Sequence, residues 1–210
     1  MDESIKLMKG DCLELMGDIS DASVDLLLVD LPYGTTQCKW DQIIPLEQLW
    51  PIYNRIVKKS GAMIFTSTQP FTSVLINSNI KNFKYTWVWE KSKATGYLNA
   101  KRMPMRAHED VCVFYRKPPV YNPQKWQGAA YNKGKAHRPT EVYGEQVAVL
   151  VKNDTGLRYP RTVQYFKTAE SETGQKVVHP TQKPIRLMEY FIKTYSNEGD
   201  VVLDNTMGSG

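Results

Sequence analysis

Apolar residues fall along this chain in two rhythms. Runs short enough to be strands occur at Ile5 to Leu7, Val24 to Val29, Ala62 to Thr66, Tyr85 to Trp89, Val111 to Tyr115 and Val201 to Leu203. Between them apolar residues recur three and four apart, which predicts helices over Cys12 to Met16, Leu46 to Lys59 with Pro51 inside, Pro70 to Asn79 and Pro184 to Tyr195. In the last of these Ile185, Leu187, Met188, Phe191 and Ile192 share one face, and Pro184 stands at the first position, where its missing N–H removes no helical bond. Trp87 and Trp89 alternate, which turns one face of their strand to the core. Strands and helices in alternation read as an α/β fold, an open sheet with helices on both faces.

Residues 117–178 break the rhythm. The stretch KPPVYNPQKWQGAAYNKGKAHRPT is rich in Pro, Gly, Lys, Arg, Tyr and Gln and holds no sustained period. It reads either as a solvated loop region or as a nucleic-acid surface, since cations interleaved with Tyr121, Trp126, Tyr131 and Tyr143 suit phosphates and base faces together.

Composition narrows the class. With 210 residues, 41% of them hydrophobic, the chain can bury the core of one domain with an inserted subdomain. No apolar run approaches the about 20 residues of a membrane span, and MDESIKLMKGD lacks a signal-peptide layout, so a cytoplasmic protein with no membrane partner is expected. The three cysteines, Cys12, Cys38 and Cys112, form no CxxC pair and sit near no histidine cluster, so reduced thiols and no metal are expected. A net charge of +5 favours a polyanionic partner without deciding for one.

Four segments carry chemistry: GDCLELM at 10–16, DLPYG at 30–34, HPTQKP at 179–184 and DNTMGSG at 204–210. Alone, each has a plain structural use as a strand end, a helix cap or a glycine turn. Together and in this order they resemble the β class of amino-group DNA methyltransferases, which methylate adenine N6 or cytosine N4. The resemblance spans nearly the whole chain, with two departures. Leu31 stands where the family's D-P-P-Y has its first proline, and Asn205, Thr206 and Met207 replace the middle of its D-P-F-x-G-S-G loop.

The resemblance implies a Rossmann-like, S-adenosylmethionine-dependent methyltransferase fold, circularly permuted so that the catalytic motif precedes the cofactor loop. The sheet would be open and mostly parallel. Residues 1–116 would form the catalytic half, 117–178 a loop-rich target-recognition insert and 179–210 an incomplete cofactor-binding half. Because the sequence stops within the glycine loop, a truncated fold with weakened cofactor binding is expected.

The chemistry explains the motif. An exocyclic amine is a poor nucleophile because its lone pair is delocalised into the ring. If Asp30 and the Leu31 carbonyl accept its two N–H groups, the nitrogen can rehybridise and aim at a sulfonium methyl. Pro32 fixes the backbone, and Tyr33 offers a ring on which an extruded base stacks. By resemblance the cofactor is S-adenosylmethionine. Asp11 and the Cys12 backbone would meet its adenine, Asp204, Gly208 and Gly210 its methionine portion, and Thr181 and Lys183 its carboxylate, with Asp30 bordering the site. The plainer alternatives are a helix cap for Asp11 and a solvated charge for Lys183.

The partner implied is double-stranded DNA. Asn99, Lys101, Arg102 and Arg106, in WVWEKSKATGYLNAKRMPMRAHEDVCVFYRK at 87–117, are candidate phosphate contacts, as are Arg158 and Arg161 in RYPRTVQYF at 158–166. His108 is expected in a turn or cap. No cysteine follows a proline, which disfavours methylation of the cytosine ring carbon. In the family an Asp at the first motif position goes mostly with adenine, so a site-specific adenine-N6 enzyme of restriction-modification, phage or orphan type is expected. Cytosine N4 and a non-catalytic DNA-binding remnant are the alternatives. Oligomeric state, monomer or homodimer, is open.

Overall fold

Valine and leucine fill both faces of β1 (Val24–Val29), and so the strand lies inside the main sheet rather than at its rim. The computed structural model describes residues 5–36, 38, 41–136, 144, 149–179 and 181–208. Ahead of β1 comes α1 (Cys12–Leu15), continued by a 3₁₀ turn over Met16–Asp18. After it follow α2 (Leu46–Ile56), β2 (Val57–Ser67), α3 (Phe71–Ser78), β3 (Phe83–Thr95) and β4 (Arg106–Phe114). Four short strands come next: β5 (Trp126–Gln127), β6 (Tyr131–Ala136), β7 (Val149–Asn153) and β8 (Leu157–Arg158). The chain then forms β9 (Val163–Phe166), α4 (Ala169–Thr173), α5 (Ile185–Tyr195) and β10 (Val202–Leu203).

The main sheet has the order β10-β1-β2-β4-β3-β9. Its pairs are parallel except the two that β4 makes, so β4 alone runs against the others. The carboxyl ends of β1, β2, β3 and β10 therefore share one edge with the start of β4. Such an edge is where open α/β sheets place their ligands.

Period-two alternation divides the core between two faces. On one, Leu27, Val29, Met63, Phe65 and Phe114 pack against α2 and α3 through Leu49, Trp50, Tyr53, Phe71 and Leu75. On the other, Leu26, Leu28, Ile64, Val113 and the two tryptophans Trp87 and Trp89 pack against Leu187, Phe191 and Tyr195 of α5. A buried polar link fixes that helix: Trp87 Nε1 donates to Tyr195 Oη at 2.7 Å, and Tyr195 shares a second bond with Tyr85 at 2.8 Å. The expected open, mostly parallel sheet with helices on both faces is what the chain forms.

Some expectations shift. Ile5 to Leu7 forms no strand and pairs with none among the described residues, and both apolar side chains are exposed. The helix expected over Leu46 to Lys59 ends at Ile56 and passes directly into β2. The helix expected from Pro184 begins at Ile185, with Pro184 as its cap residue. Its first two N–H groups, of Ile185 and Arg186, donate to the Glu172 carboxylate at 2.8 and 3.1 Å. Thr181 does not cap this helix; its hydroxyl lies 3.0 Å from His179 Nδ1.

The chain divides into two compact units, residues 1–122 with 162–210, and Pro123–Arg161. The second is shorter than the irregular 117–178 stretch: β9 joins β3 in the main sheet, and α4 precedes the HPTQKP segment. Within the second unit β5 pairs with β8 and β6 with β7, both antiparallel.

Candidate active site

β1 ends where its last apolar residue, Val29, gives way to Asp30, so the carboxylate emerges at the ligand-binding edge of the sheet. It is half-buried and held from two sides. Tyr33 Oη donates to Asp30 Oδ1 at 2.7 Å, and the Thr66 hydroxyl donates to the same oxygen from the end of β2. Lys183 Nζ lies 2.8 Å from the carboxylate, brought from the HPTQKP segment by the docking of α5.

Tyr33 is held as firmly. Its ring stacks on Phe71 of α3 with centroids 5.4 Å apart, and Lys183 Nζ sits over it at 5.3 Å. Burial, with the carboxylates of Asp30 and Glu109, pushes the phenol well above its ordinary range, so it remains a donor. For Lys183, burial alone would favour the neutral amine, but Asp30 and Glu109 outweigh it and raise the ammonium above its usual value.

The turn after Tyr33 is built by one residue, Asp41. Its carboxylate accepts the backbone N–H groups of Gly34, Thr35 and Thr36 at 2.8, 2.9 and 2.7 Å. Burial works the other way, but those donors hold the carboxyl below its ordinary value. Gly34 has φ of +66°, a conformation that favours glycine, and a Cβ there would also crowd the exposed Ile43 side chain at 2.9 Å.

The segment after β10 reaches the same edge. Thr206 Oγ1 donates to the main-chain carbonyl of Asp30 at 3.0 Å, which ties the glycine-rich loop to the DLPY segment across 176 residues. Tyr53 of α2 donates to Asn205 Oδ1 at 3.1 Å, while Asn205 Nδ2 is buried without a hydrogen-bond partner among the described residues. Asp204 keeps contact with solvent, yet the protein packed around its carboxyl pushes it up to about 6, with Asp30 adding to the shift against the Thr206 N–H.

Of the residues expected at the site, the structure joins Asp30, Tyr33, Lys183 and the Asp204 loop. Pro32 lies half-buried between Leu31 and Tyr33 in the same turn. Lys183 is not a solvated charge. Asp11 accepts Leu13 N at 2.8 Å and so does cap α1. Cys12 is half-buried and packs against the core cluster that contains Tyr53. Thr181 is exposed, Gly208 lies in the loop with φ of +62°, and Gly210 falls outside the described residues.

Asn99, Lys101, Arg102 and Arg106 are exposed around the turn that joins β3 to β4. His108 is a strand residue opposite Glu90, not a turn or cap. In the second unit Arg161 is exposed, whereas Arg158 is engaged internally: its guanidinium lies 4.5 Å over the Tyr131 ring and donates to the Ala129 carbonyl. Trp126 and Tyr121 are exposed, and Tyr143 lies outside the described residues.

Sequence reasoning missed Thr66, Lys91 and Glu109. Each flanks an apolar strand run at the ligand edge, and that position was the signal available. Lys91 Nζ lies 3.2 Å from Glu109 Oε1, and Lys183 Nζ lies 3.5 Å from Glu109 Oε2. Among the described residues no group of acids, histidines and cysteines could hold a metal ion, and no helix is long and apolar enough to cross a membrane.

A family model for N6/N4 methyltransferases, described as DNA methylase, matches residues 24–210. The chain belongs to that family. It is similar to type II methyltransferase M.HpaI of Haemophilus parainfluenzae, 24% identical over 98% of this chain and 64% of that protein. It is also similar to M.BglII of Bacillus subtilis, 26% identical over 98% of the chain and 60% of the relative. The chain thus spans a little under two thirds of these relatives' length. Solved structures share the fold. The M1.HpyAVI complex with S-adenosylmethionine superposes with a TM-score of 0.58 at 22% identity, over 96% of this chain and 84% of that one. The cytosine-N4-specific PvuII DNA methyltransferase gives 0.64 at 15% identity, over 95% and 74%. S-adenosylmethionine is the cofactor of the family.

Proposed function

We propose that the chain transfers a methyl group from S-adenosylmethionine to the N6 amine of an adenine flipped out of double-stranded DNA. The observation that carries the reading is the convergence on Asp30: its carboxylate meets Lys183 and Tyr33, and its carbonyl meets Thr206 of the glycine-rich loop.

The residues present fit the cofactor. Asp204 is an acid crowded enough to gain from a cationic partner, and the Asn205 amide is fixed by Tyr53 with its N–H donors aimed at no protein acceptor. Asp204, Asn205 and Gly208 would hold the methionine portion, with Cys12 and the α1 cap Asp11 toward the adenine. When bound, the cofactor supplies an electrophilic methyl on a cationic sulfur.

Asp30 supplies the acceptor that an aromatic amine needs. Its carboxylate takes one amine N–H and the Leu31 carbonyl the other, so the lone pair leaves conjugation and points at the methyl. As the amine takes the methyl group that the bound cofactor would supply, the nitrogen would gain the positive charge, and the Asp30 carboxylate would accept the surplus amine proton. Tyr33, fixed by Phe71 and Asp30, would offer the base the part of its ring that Lys183 uncovers on leaving Asp30. Asp at the first motif position supports adenine over cytosine. Exposed Lys101, Arg102 and Arg106 would meet phosphates beside the site.

Incubating the chain with methyl-labelled S-adenosylmethionine and mixed-sequence duplex DNA, then separating the nucleosides, tests the reading. Label in N6-methyladenine is expected. Label in N4-methylcytosine assigns the other amine, and unlabelled DNA overturns the proposal.

A further inference from the structure

The acid that binds Lys183 from behind has no part in the reading above. Glu109, at the start of β4, accepts Lys91 Nζ on Oε1 at 3.2 Å, while its Oε2 is buried with no hydrogen-bond partner among the described residues and lies 3.5 Å from Lys183 Nζ. Lys91, Glu109, Lys183 and Asp30 thus form a row of alternating charges. Their side chains are only 5, 17, 10 and 22% exposed, which is shielding enough for each to depend on its neighbour.

The row must rearrange if Asp30 is to work. Tyr33 and Thr66 already occupy Oδ1, and Lys183 Nζ lies 2.8 Å from both carboxylate oxygens, so an arriving amine N–H competes with Lys183 for the acid. A buried ammonium released without a counter-charge would oppose that exchange strongly. Glu109 Oε2 stands 3.5 Å from the same Nζ, a long contact beside the 2.8 Å one to Asp30, and already helps to hold the ammonium charged. Lys91 pins the other oxygen, so Glu109 stays in place while the flexible lysine swings.

We propose that Glu109 is a positioning residue for methyl transfer: it takes over Lys183 as the target amine replaces the lysine on Asp30. The proposal rests on the methyl-transfer reading. It predicts that Glu109→Gln, which keeps shape but removes the counter-charge, lowers the single-turnover transfer rate about 100-fold. Affinity for S-adenosylmethionine and KM for DNA should stay within about threefold. Glu109→Asp, which restores the charge, should recover at least about tenfold of the rate. A Glu109→Gln rate equal to that of the unaltered chain, binding losses as large as the rate loss, or no recovery with aspartate overturns it. A crystal structure of the unaltered chain with S-adenosylhomocysteine and a target duplex gives an answer independent of how the variants fold. Lys183 hydrogen-bonded to Glu109 Oε2 and withdrawn from Asp30 is expected, and Lys183 still on Asp30 overturns the proposal. Should the unaltered chain transfer no methyl group at all, the methyl-transfer reading fails and takes this one with it; transfer with an indifferent Glu109 removes only the second.

Discussion

Lys183 Nζ stands 2.8 Å from the Asp30 carboxylate although 153 residues separate the two in sequence. The pair joins the strand that ends in DLPY to the segment that leads into α5, and it is mostly shielded from water. Removing the cation leaves Asp30 without a counter-charge and Glu109 paired with Lys91 alone. Lys183→Met is therefore expected to lower stability by roughly 3–5 kcal/mol. Urea unfolding followed by tryptophan fluorescence measures it, and an unchanged midpoint would show the pair to be dispensable.

A second expectation concerns the back of the sheet. Tyr195 accepts Trp87 Nε1 in a buried site and bonds the half-buried Tyr85, so Tyr195→Phe strands the Trp87 N–H in the core and removes the Tyr85 partner. A loss of about 1–3 kcal/mol follows, without loss of cofactor affinity at temperatures where the chain stays folded. Thermal unfolding alongside calorimetric titration separates the two effects.

Asp204 makes the site sensitive to pH. Its carboxyl is raised to about 6 in the folded chain from an ordinary value of 3.8. A raised acid binds its proton more tightly when folded, so its ionisation opposes folding as pH climbs between those values. Cofactor binding runs the other way, because only the ionised acid attracts a cationic ligand. Affinity for S-adenosylmethionine should rise from pH 5 to pH 7 in the unaltered chain, and in Asp204→Asn the rise should largely disappear. A profile unchanged by the substitution would remove Asp204 from cofactor binding.

Much of this architecture is legible in one dimension. Val24–Val29 announces a buried strand, and the DLPYG and HPTQKP segments mark its carboxyl end and the entry to α5. The failures share a cause: pairing partners lie far off in sequence. Val163–Phe166 alternates exposed with half-buried residues and looks like the irregular stretch around it until β3 offers an edge. Ile5 to Leu7 has the better strand pattern and pairs with no strand among the described residues. Glu109 and Lys91 look like ordinary charges beside apolar runs, and their use appears only when β3 and β4 pair and α5 brings in Lys183. Asp41 resembles a loop acid, yet it organises the turn after Tyr33 by accepting three backbone N–H groups. Asp41→Ala should accordingly slow methyl transfer about 10-fold or more by loosening that turn, while Asp41→Asn, which keeps an acceptor, loses less. Single-turnover rates of the two variants test this.

In the proposed reaction Asp30 draws on the amine proton in the transition state and contributes little to holding the cofactor. Methyl transfer from labelled S-adenosylmethionine by Asp30→Ala, measured beside calorimetric binding of the same cofactor, separates the two roles. The rate should fall by about three orders of magnitude. The dissociation constant should move by less than about threefold. Transfer at the unaltered rate, or a loss of cofactor binding that accounts for the whole defect, would contradict the role assigned to Asp30.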